Sequence, residues 1–260
     1  MSERSIGSNG RRGFLRVVVA GVSAAVVAGC DKLAATSWFA GALRGGETLT
    51  RATQRLVVGD QALAQEFTEA DITGPFRSNG TSHPRSAAYD ALAANGFADW
   101  RLQVDGRVAR PAHFSLDELR MMPSRTQITR HDCVEGWSAI AKWTGVPLHE
   151  ILARVQPEPS ARYVVFHCAD PMQPNGTQPY YESIDMIDAH HPQTILAYEL
   201  NDAALPIGNG APIRVRIERQ LGYKMAKYIM RIELVDSYSG IRGGNGGYWE
   251  DRGYAWYAGI

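Results

Sequence analysis

Apolar and polar positions fall into short blocks along this chain, and each block predicts one element. Trp100-Arg101-Leu102-Gln103-Val104 alternates as a half-buried strand does and reaches the turn pair Asp105-Gly106, after which Arg107-Val108 is expected to return as a hairpin. Ser115-Leu116-Asp117-Glu118 has the spacing of a capping box, opening a short helix that Pro123 ends. Residues 127–133 predict a strand with Cys133 at its end. Leu148, Ile151, Leu152 and Val155 recur at helical spacing behind Pro147, so a surface helix is expected there. Tyr163-Val164-Val165-Phe166 and Ile195-Leu196-Ala197-Tyr198 are unbroken apolar runs suited to buried strands. Ile213, Val215 and Ile217 alternate with Arg214, Arg216 and Glu218, which predicts a strand with one apolar and one charged face, and residues 229–235 supply a last strand. Residues 76–84 are dense in turn formers and read as an ordered loop. No repeat is present, and hairpins mixed with short helices point to an α+β fold of mixed sheets in one domain.

The N-terminus bears on location. Arg11-Arg12-Gly13-Phe14-Leu15-Arg16 precedes an apolar run at residues 17–28, shorter than the roughly 20 residues of a membrane span and suited to a signal-peptide core. The paired arginines match a twin-arginine export signal, and Val27-Ala28-Gly29-Cys30 has the form of a lipobox that would tether the mature chain to a membrane through Cys30. The simpler alternative is a soluble export signal with an incidental cysteine. Residues 1–30 are therefore expected to be a signal peptide, 31–55 a linker, and 56–260 the domain, facing the periplasm.

Charge and cysteines narrow the classes. Lysine plus arginine number 27 and aspartate plus glutamate 27, so no global field draws nucleic acid. Beyond Cys30 only Cys133 and Cys168 remain; they could pair in an oxidising compartment, but one pair sets no disulfide framework. Cys133 lies in Thr129-Arg130-His131-Asp132-Cys133-Val134-Glu135-Gly136-Trp137-Ser138, flanked by ionisable groups as a soft-metal ligand or nucleophile would be. Gly222-Tyr223-Lys224-Met225-Ala226-Lys227 adds a glycine for close backbone approach and two ammonium groups suited to a phosphate. The two segments suggest a metal held by cysteine and carried on a phosphate-bearing organic cofactor. Blander readings stand beside these. Glu135 is either an exposed loop acid or a group near the metal, and His131 either anchors its loop or moves a proton. Arg216 and Arg219 read as surface or structural charges. His83, His167, His190 and His191 read as capping or packed residues, and no C-x-x-C or H-E-x-x-H spacing supports a zinc site.

Four segments of the chain, taken together, carry a resemblance. His131-Asp132-Cys133-Val134-Glu135-Gly136-Trp137-Ser138, Asn209-Gly210-Ala211-Pro212-Ile213-Arg214, the Gly222 to Lys227 segment and Trp100-Arg101-Leu102-Gln103-Val104-Asp105-Gly106 resemble the molybdopterin-binding domain of the sulfite oxidase superfamily. The match runs from about Phe76 to the C-terminus and is most like the exported bacterial branch that includes the catalytic subunit of periplasmic methionine-sulfoxide reductase; the glycine- and aromatic-rich C-terminus is also similar to that branch. The resemblance implies a mixed α+β domain around one molybdenum–molybdopterin cofactor, with the Cys133 thiolate on molybdenum. It implies pterin contacts from Asn209 and Arg214, a phosphate segment at Gly222, Tyr223 and Lys224, a second cation from Lys227 at a helix start, and a loop asparagine, Asn79, near the metal. Cys168 stands where that branch has a pterin-contacting threonine. Glu135 matches the reductase branch, and His131 replaces the arginine with which sulfite-oxidising members hold an oxyanion. The implied reaction is oxygen-atom transfer to or from a small oxide or oxyanion, with reduction of an S- or N-oxide such as methionine sulfoxide preferred. Sulfite oxidation, or a non-enzymatic anion- or zinc-binding lipoprotein, are the alternatives. Neither a C-x-x-C-H haem motif nor an iron–sulfur cysteine set is present, so electrons would pass through a separate partner such as a haem membrane protein or a cytochrome.

Overall fold

The computed structural model describes residues 36–173 and 178–260, so the signal segment and Cys30 lie outside the described residues. Two compact units are distinguished, one ending at Thr53 and the other running Gln54–Ile260. Residues expected to form a linker are largely helical: α1 spans Ser37–Val58. Gly45 and Gly46 lie within it, and the absence of proline and the supply of Ala, Leu, Arg and Glu let a helix run through them at a cost of about 1 kcal/mol per glycine. Among the described residues no helix is long and apolar enough to cross a membrane.

The larger unit contains two five-stranded sheets with short helices between their strands. In the first, β1 (Arg101–Gly106) lies between β2 (Ala112–Ser115) and β10 (Ile229–Val235), followed by β5 (Tyr163–Pro171) and β6 (Pro179–Asp185). β1 runs parallel to β10 and the remaining pairs are antiparallel, so the sheet is mixed. The second sheet orders β3 (Arg125–Asp132), β4 (Ser138–Pro147), β7 (Ile195–Leu200) and β8 (Ala203–Ala204), with β9 (Arg214–Arg216) also paired to β7. The α+β expectation holds.

One expected hairpin is placed differently. Asp105-Gly106 does not turn the chain directly back, because β1 stays paired with β10 as far as Gly106 opposite Leu234. Gly106 adopts φ +86°, and a Cβ there would sit 2.2 Å from the Leu234 carbonyl oxygen, so glycine is required by the neighbouring strand. The return strand is β2, beyond Arg107-Val108.

The helices, with α2 at Ala87–Ala94 next in the chain after α1, follow their local signals. Ser115 accepts from the Glu118 N–H at 3.1 Å and the Glu118 carboxylate accepts from the Ser115 N–H at 2.7 Å, completing the capping box of α3 (Leu116–Met121). In α4 (Leu148–Val155) the four residues at helical spacing are all buried, each such side chain contributing roughly 1.5–3 kcal/mol on removal from water. They join Trp100, Leu102, Phe166 and Ile232 in the main core, while Phe76, Trp143 and Ile195 belong to a second cluster.

β9 departs most from expectation. Both its faces are buried: Arg214 is 1% exposed, Arg216 0% and Glu218, just beyond it, 4%. Arg216 donates to Glu218 at 2.9 and 2.6 Å and stacks over the Trp143 ring, so the charged face meets its counter-ion and an aromatic ring inside the protein.

Candidate active site

β3 ends at Asp132 and β4 begins at Ser138, which places Cys133 at the tip of an antiparallel hairpin. The tip is fixed by backbone bonds. Cys133 N–H donates to Trp137 O at 2.9 Å, and Gly136, at φ +86°, donates to Cys133 O at 3.0 Å. The Cys133 side chain is thereby left to face a cavity of about 770 Å³ of atom-free space, open mouth included.

The cavity gathers several expected residues. Asn79, Cys133, Glu135, Arg214, Gly222, Tyr223 and Lys227 line it, and apolar wall comes from Met172, Met225, Ala226 and Trp249. Asn79 Nδ2 points to Cys133 Sγ at 3.7 Å. Glu135 is exposed and accepts from Trp137 Nε1 at 3.0 Å. Arg214 is held by the carbonyls of Asn209 and Met225 at 3.2 and 3.3 Å, and its Nε finds no partner among the described residues. Burial and the neighbouring Arg216 guanidinium lower Arg214 to about 9.

Other expected residues stand back from the cavity. Lys224 is fully buried, and its ammonium is taken by two carboxylates: Glu182, and Glu250 at 2.5 Å. Burial alone would lower its pKa, and Glu182 and Glu250 more than reverse that. A free phosphate-binding cation at Lys224 is thus replaced by an internal ion triad; the expectation rested on a lysine beside glycine, and the carboxylates come from distant segments. Nor is there a helix start, since Gly222–Lys224 form a single 3-10 turn. Gly222 does make a close approach, to a protein ring: a Cβ there would lie 2.3 Å from His131 Cε1 and Nε2. His131 is wholly buried behind the cavity, its Nδ1 accepting from Arg216 Nη1 at 3.0 Å. Burial, then Arg216, Arg214 and Lys227, push its pKa well below the usual value, so the ring is neutral and a direct proton role has no access. Asn209 is buried with Nδ2 directed to Phe76 O at 3.5 Å, and it contributes its carbonyl to Arg214. Cys168 packs in the main core, where burial raises its thiol well above the usual range. Cys133 and Cys168 are both free thiols. Among the described residues no three His, Cys, Asp or Glu side chains stand together as a metal site, so the zinc alternative has no donor set there.

Asp170 is a titratable lining residue that sequence reasoning passed over. It is 4% exposed, its Oδ1 has no partner among the described residues, and burial raises its carboxyl to about 7 against the pull of Lys227. Its only sequence signal was an acid at the end of an apolar strand run.

The domain model described as oxidoreductase molybdopterin binding domain matches residues 90–241, more than half of the chain. The chain belongs to this family. It is an oxidoreductase of the sulfite oxidase superfamily. A chain of Azospira oryzae with the provisional name protein-methionine-sulfoxide reductase subunit YedZ1 is 42% identical over 199 residues, covering 76% of this chain and 68% of the relative. The protein-methionine-sulfoxide reductase catalytic subunit MsrP of Ralstonia nicotianae is 42% identical over 174 residues, covering 64% and 49%. MsrP of Xanthomonas axonopodis pv. citri is 41% identical over 145 residues, covering 53% and 45%. The chain thus spans about half the length of these MsrP relatives. Among solved structures, the sulfane dehydrogenase SoxCD from Paracoccus pantotrophus aligns with a TM-score of 0.49 at 22% identity, covering 54% of this chain and 39% of that one, a level that carries no argument.

Proposed function

We propose that this protein is a single-cofactor molybdenum enzyme that reduces a neutral S- or N-oxide, methionine sulfoxide among them, with the Cys133 thiolate on a molybdenum–molybdopterin cofactor. The residues fit such a group. One thiol, a soft donor, lines the cavity together with Arg214 and Asp170, whose Nε and Oδ1 find no partner among the described residues, and a pterin ring offers edges of both kinds. Cys133 would hold the metal, with Arg214, Asp170 and the Gly222–Tyr223 backbone around the organic part. When bound, the cofactor supplies the exchange of an oxygen atom coupled to two electrons.

The direction of the reaction rests on one observation: the cations around the cavity are already engaged. Lys227 donates to three carbonyls, Arg214 to two, and Arg216 to Glu218. Burial and Arg214 bring Lys227 to about 7 against the pull of Asp170 and Cys168, and its bonds to three carbonyls favour the ammonium form. The donors of Lys227 and Arg214 are spent on neutral carbonyls, and Arg214 Nε alone is left without a partner among the described residues, so a doubly charged product such as sulfate would find few hydrogen bonds and incomplete compensation, which costs several kcal/mol for a buried charge. A neutral oxide needs only a donor at its oxygen and apolar wall for its carbons. Reduction consumes two electrons and two protons, releasing the oxygen as water, and Asp170, with a pKa near neutrality, is suited to hold a proton at the cavity wall. The electrons would arrive singly from a separate partner protein, a haem membrane protein or cytochrome. Export by the twin-arginine route and a lipid tether at Cys30 belong to the same reading on the strength of their motifs, and cell fractionation checks both.

Steady-state assays of molybdenum-loaded protein test the direction. Reduction of methionine sulfoxide or another S- or N-oxide with a reduced viologen-type donor is expected, with little sulfite-dependent reduction of an acceptor. Robust sulfite oxidation without oxide reduction would overturn the reading in favour of the oxidase.

A further inference from the structure

Lys227 was expected to meet a phosphate, but its surroundings assign it other work. An ammonium has three N–H donors, and all three are used: on Asn79 O at 2.8 Å, Thr81 O at 2.5 Å and Gly208 O at 3.2 Å. Two of these carbonyls flank Gly80, whose φ of +60° lets both turn toward one point. The lysine stem runs against Gly210, where a Cβ would lie 2.9 Å from Lys227 Cβ, so backbone on both sides is shaped around this side chain. Tyr228, the next residue, adds a second grip by donating its hydroxyl to Thr81 O at 2.9 Å. Ser78 ties the same loop to Gly208 O at 2.5 Å. What this grip presents is Asn79, whose side-chain amide reaches Cys133 Sγ.

We propose that Lys227 is a positioning residue that clamps the loop at residues 76–84 by its backbone, so that the Asn79 amide donates to the Cys133 sulfur and tunes the thiolate as a metal ligand. A hydrogen bond to a ligating sulfur withdraws electron density from the metal–sulfur bond, and partners of this kind change affinity or activity by about 10–100-fold when lost. The inference rests on Cys133 being the ligand. It is independent of which substrate is used.

Lys227→Met keeps the stem over Gly210 and removes all three donors. The folded variant is expected to retain molybdenum and pterin close to wild-type content, to shift the thiolate-to-metal absorption in the same sense as Asn79→Ala, and to lose about tenfold in kcat. Because Lys227 acts through Asn79, the double variant should shift no further than Asn79→Ala alone. Tyr228→Phe, which removes only the second grip, should give a smaller shift in the same sense, and it serves where Lys227→Met does not fold. An unshifted spectrum in these variants while Asn79→Ala shifts would overturn the proposal, as would additive shifts in the double variant. Loss of pterin and molybdenum from folded Lys227→Met would overturn it in favour of a phosphate anchor. Wild-type protein with molybdenum but no thiolate absorption would reject the ligand assignment first, and this inference with it.

Discussion

Cofactor-loaded Cys133→Ser protein is expected to lose turnover by more than about 100-fold, since substitutions one shell further out already cost 10–100-fold at metal sites. Oxygen is a harder donor than sulfur, so serine cannot reproduce thiolate donation to a metal already bound by a dithiolene. The fold should survive. The hairpin tip is held by the backbone bonds of Cys133 and Gly136, neither of which uses the thiol, and serine is close in size. Pterin content should also persist, because Arg214, Asp170 and the Gly222–Tyr223 backbone remain in place. Turnover normalised to bound molybdenum, measured beside pterin content, checks this; full activity per molybdenum in the serine variant would remove Cys133 from the metal.

Lys224→Met should act on the fold more than on the cofactor. Its removal leaves Glu182 and Glu250, both at most 1% exposed at the side chain, facing each other without a cation. Burial and Glu250 already push the Glu182 carboxyl well above the usual range even with the lysine present. Breaking a buried pair by removing one partner costs about 3–5 kcal/mol, a large part of the 5–15 kcal/mol typical of a whole domain. Chemical unfolding should show that loss, and Glu182→Gln with Glu250→Gln in the same chain should recover most of it, because no uncompensated charge then remains. A Lys224→Met protein as stable as wild type but empty of cofactor would instead restore Lys224 to the phosphate.

These two residues mark what was legible from sequence. The strand into Cys133, the capped α3 and the apolar stripe of α4 all follow from contacts within a few residues, where periodicity and capping act. The Lys224 partners lie 42 and 26 residues away, so nothing beside the lysine signalled that its charge was already met. β9 misled for a related reason: alternation of apolar and charged residues reads the same whether the charged face meets water or a buried counter-ion such as Glu218. The turn at Asp105-Gly106 was decided by parallel pairing with β10, more than a hundred residues on. Gly222 was expected to let backbone approach a phosphate closely, and the close approach that the structure shows is to the His131 ring. Asp170 carried no motif, and its importance arises from burial with one carboxylate oxygen lacking a partner among the described residues.

Metal analysis of the protein, purified from a host that makes molybdenum cofactor and recorded with its absorption spectrum, tests the central claim most directly. The account predicts molybdenum near one per chain together with a thiolate-to-metal absorption that disappears in Cys133→Ser; zinc alone, no metal, or molybdenum with an unchanged spectrum in the serine variant would contradict it.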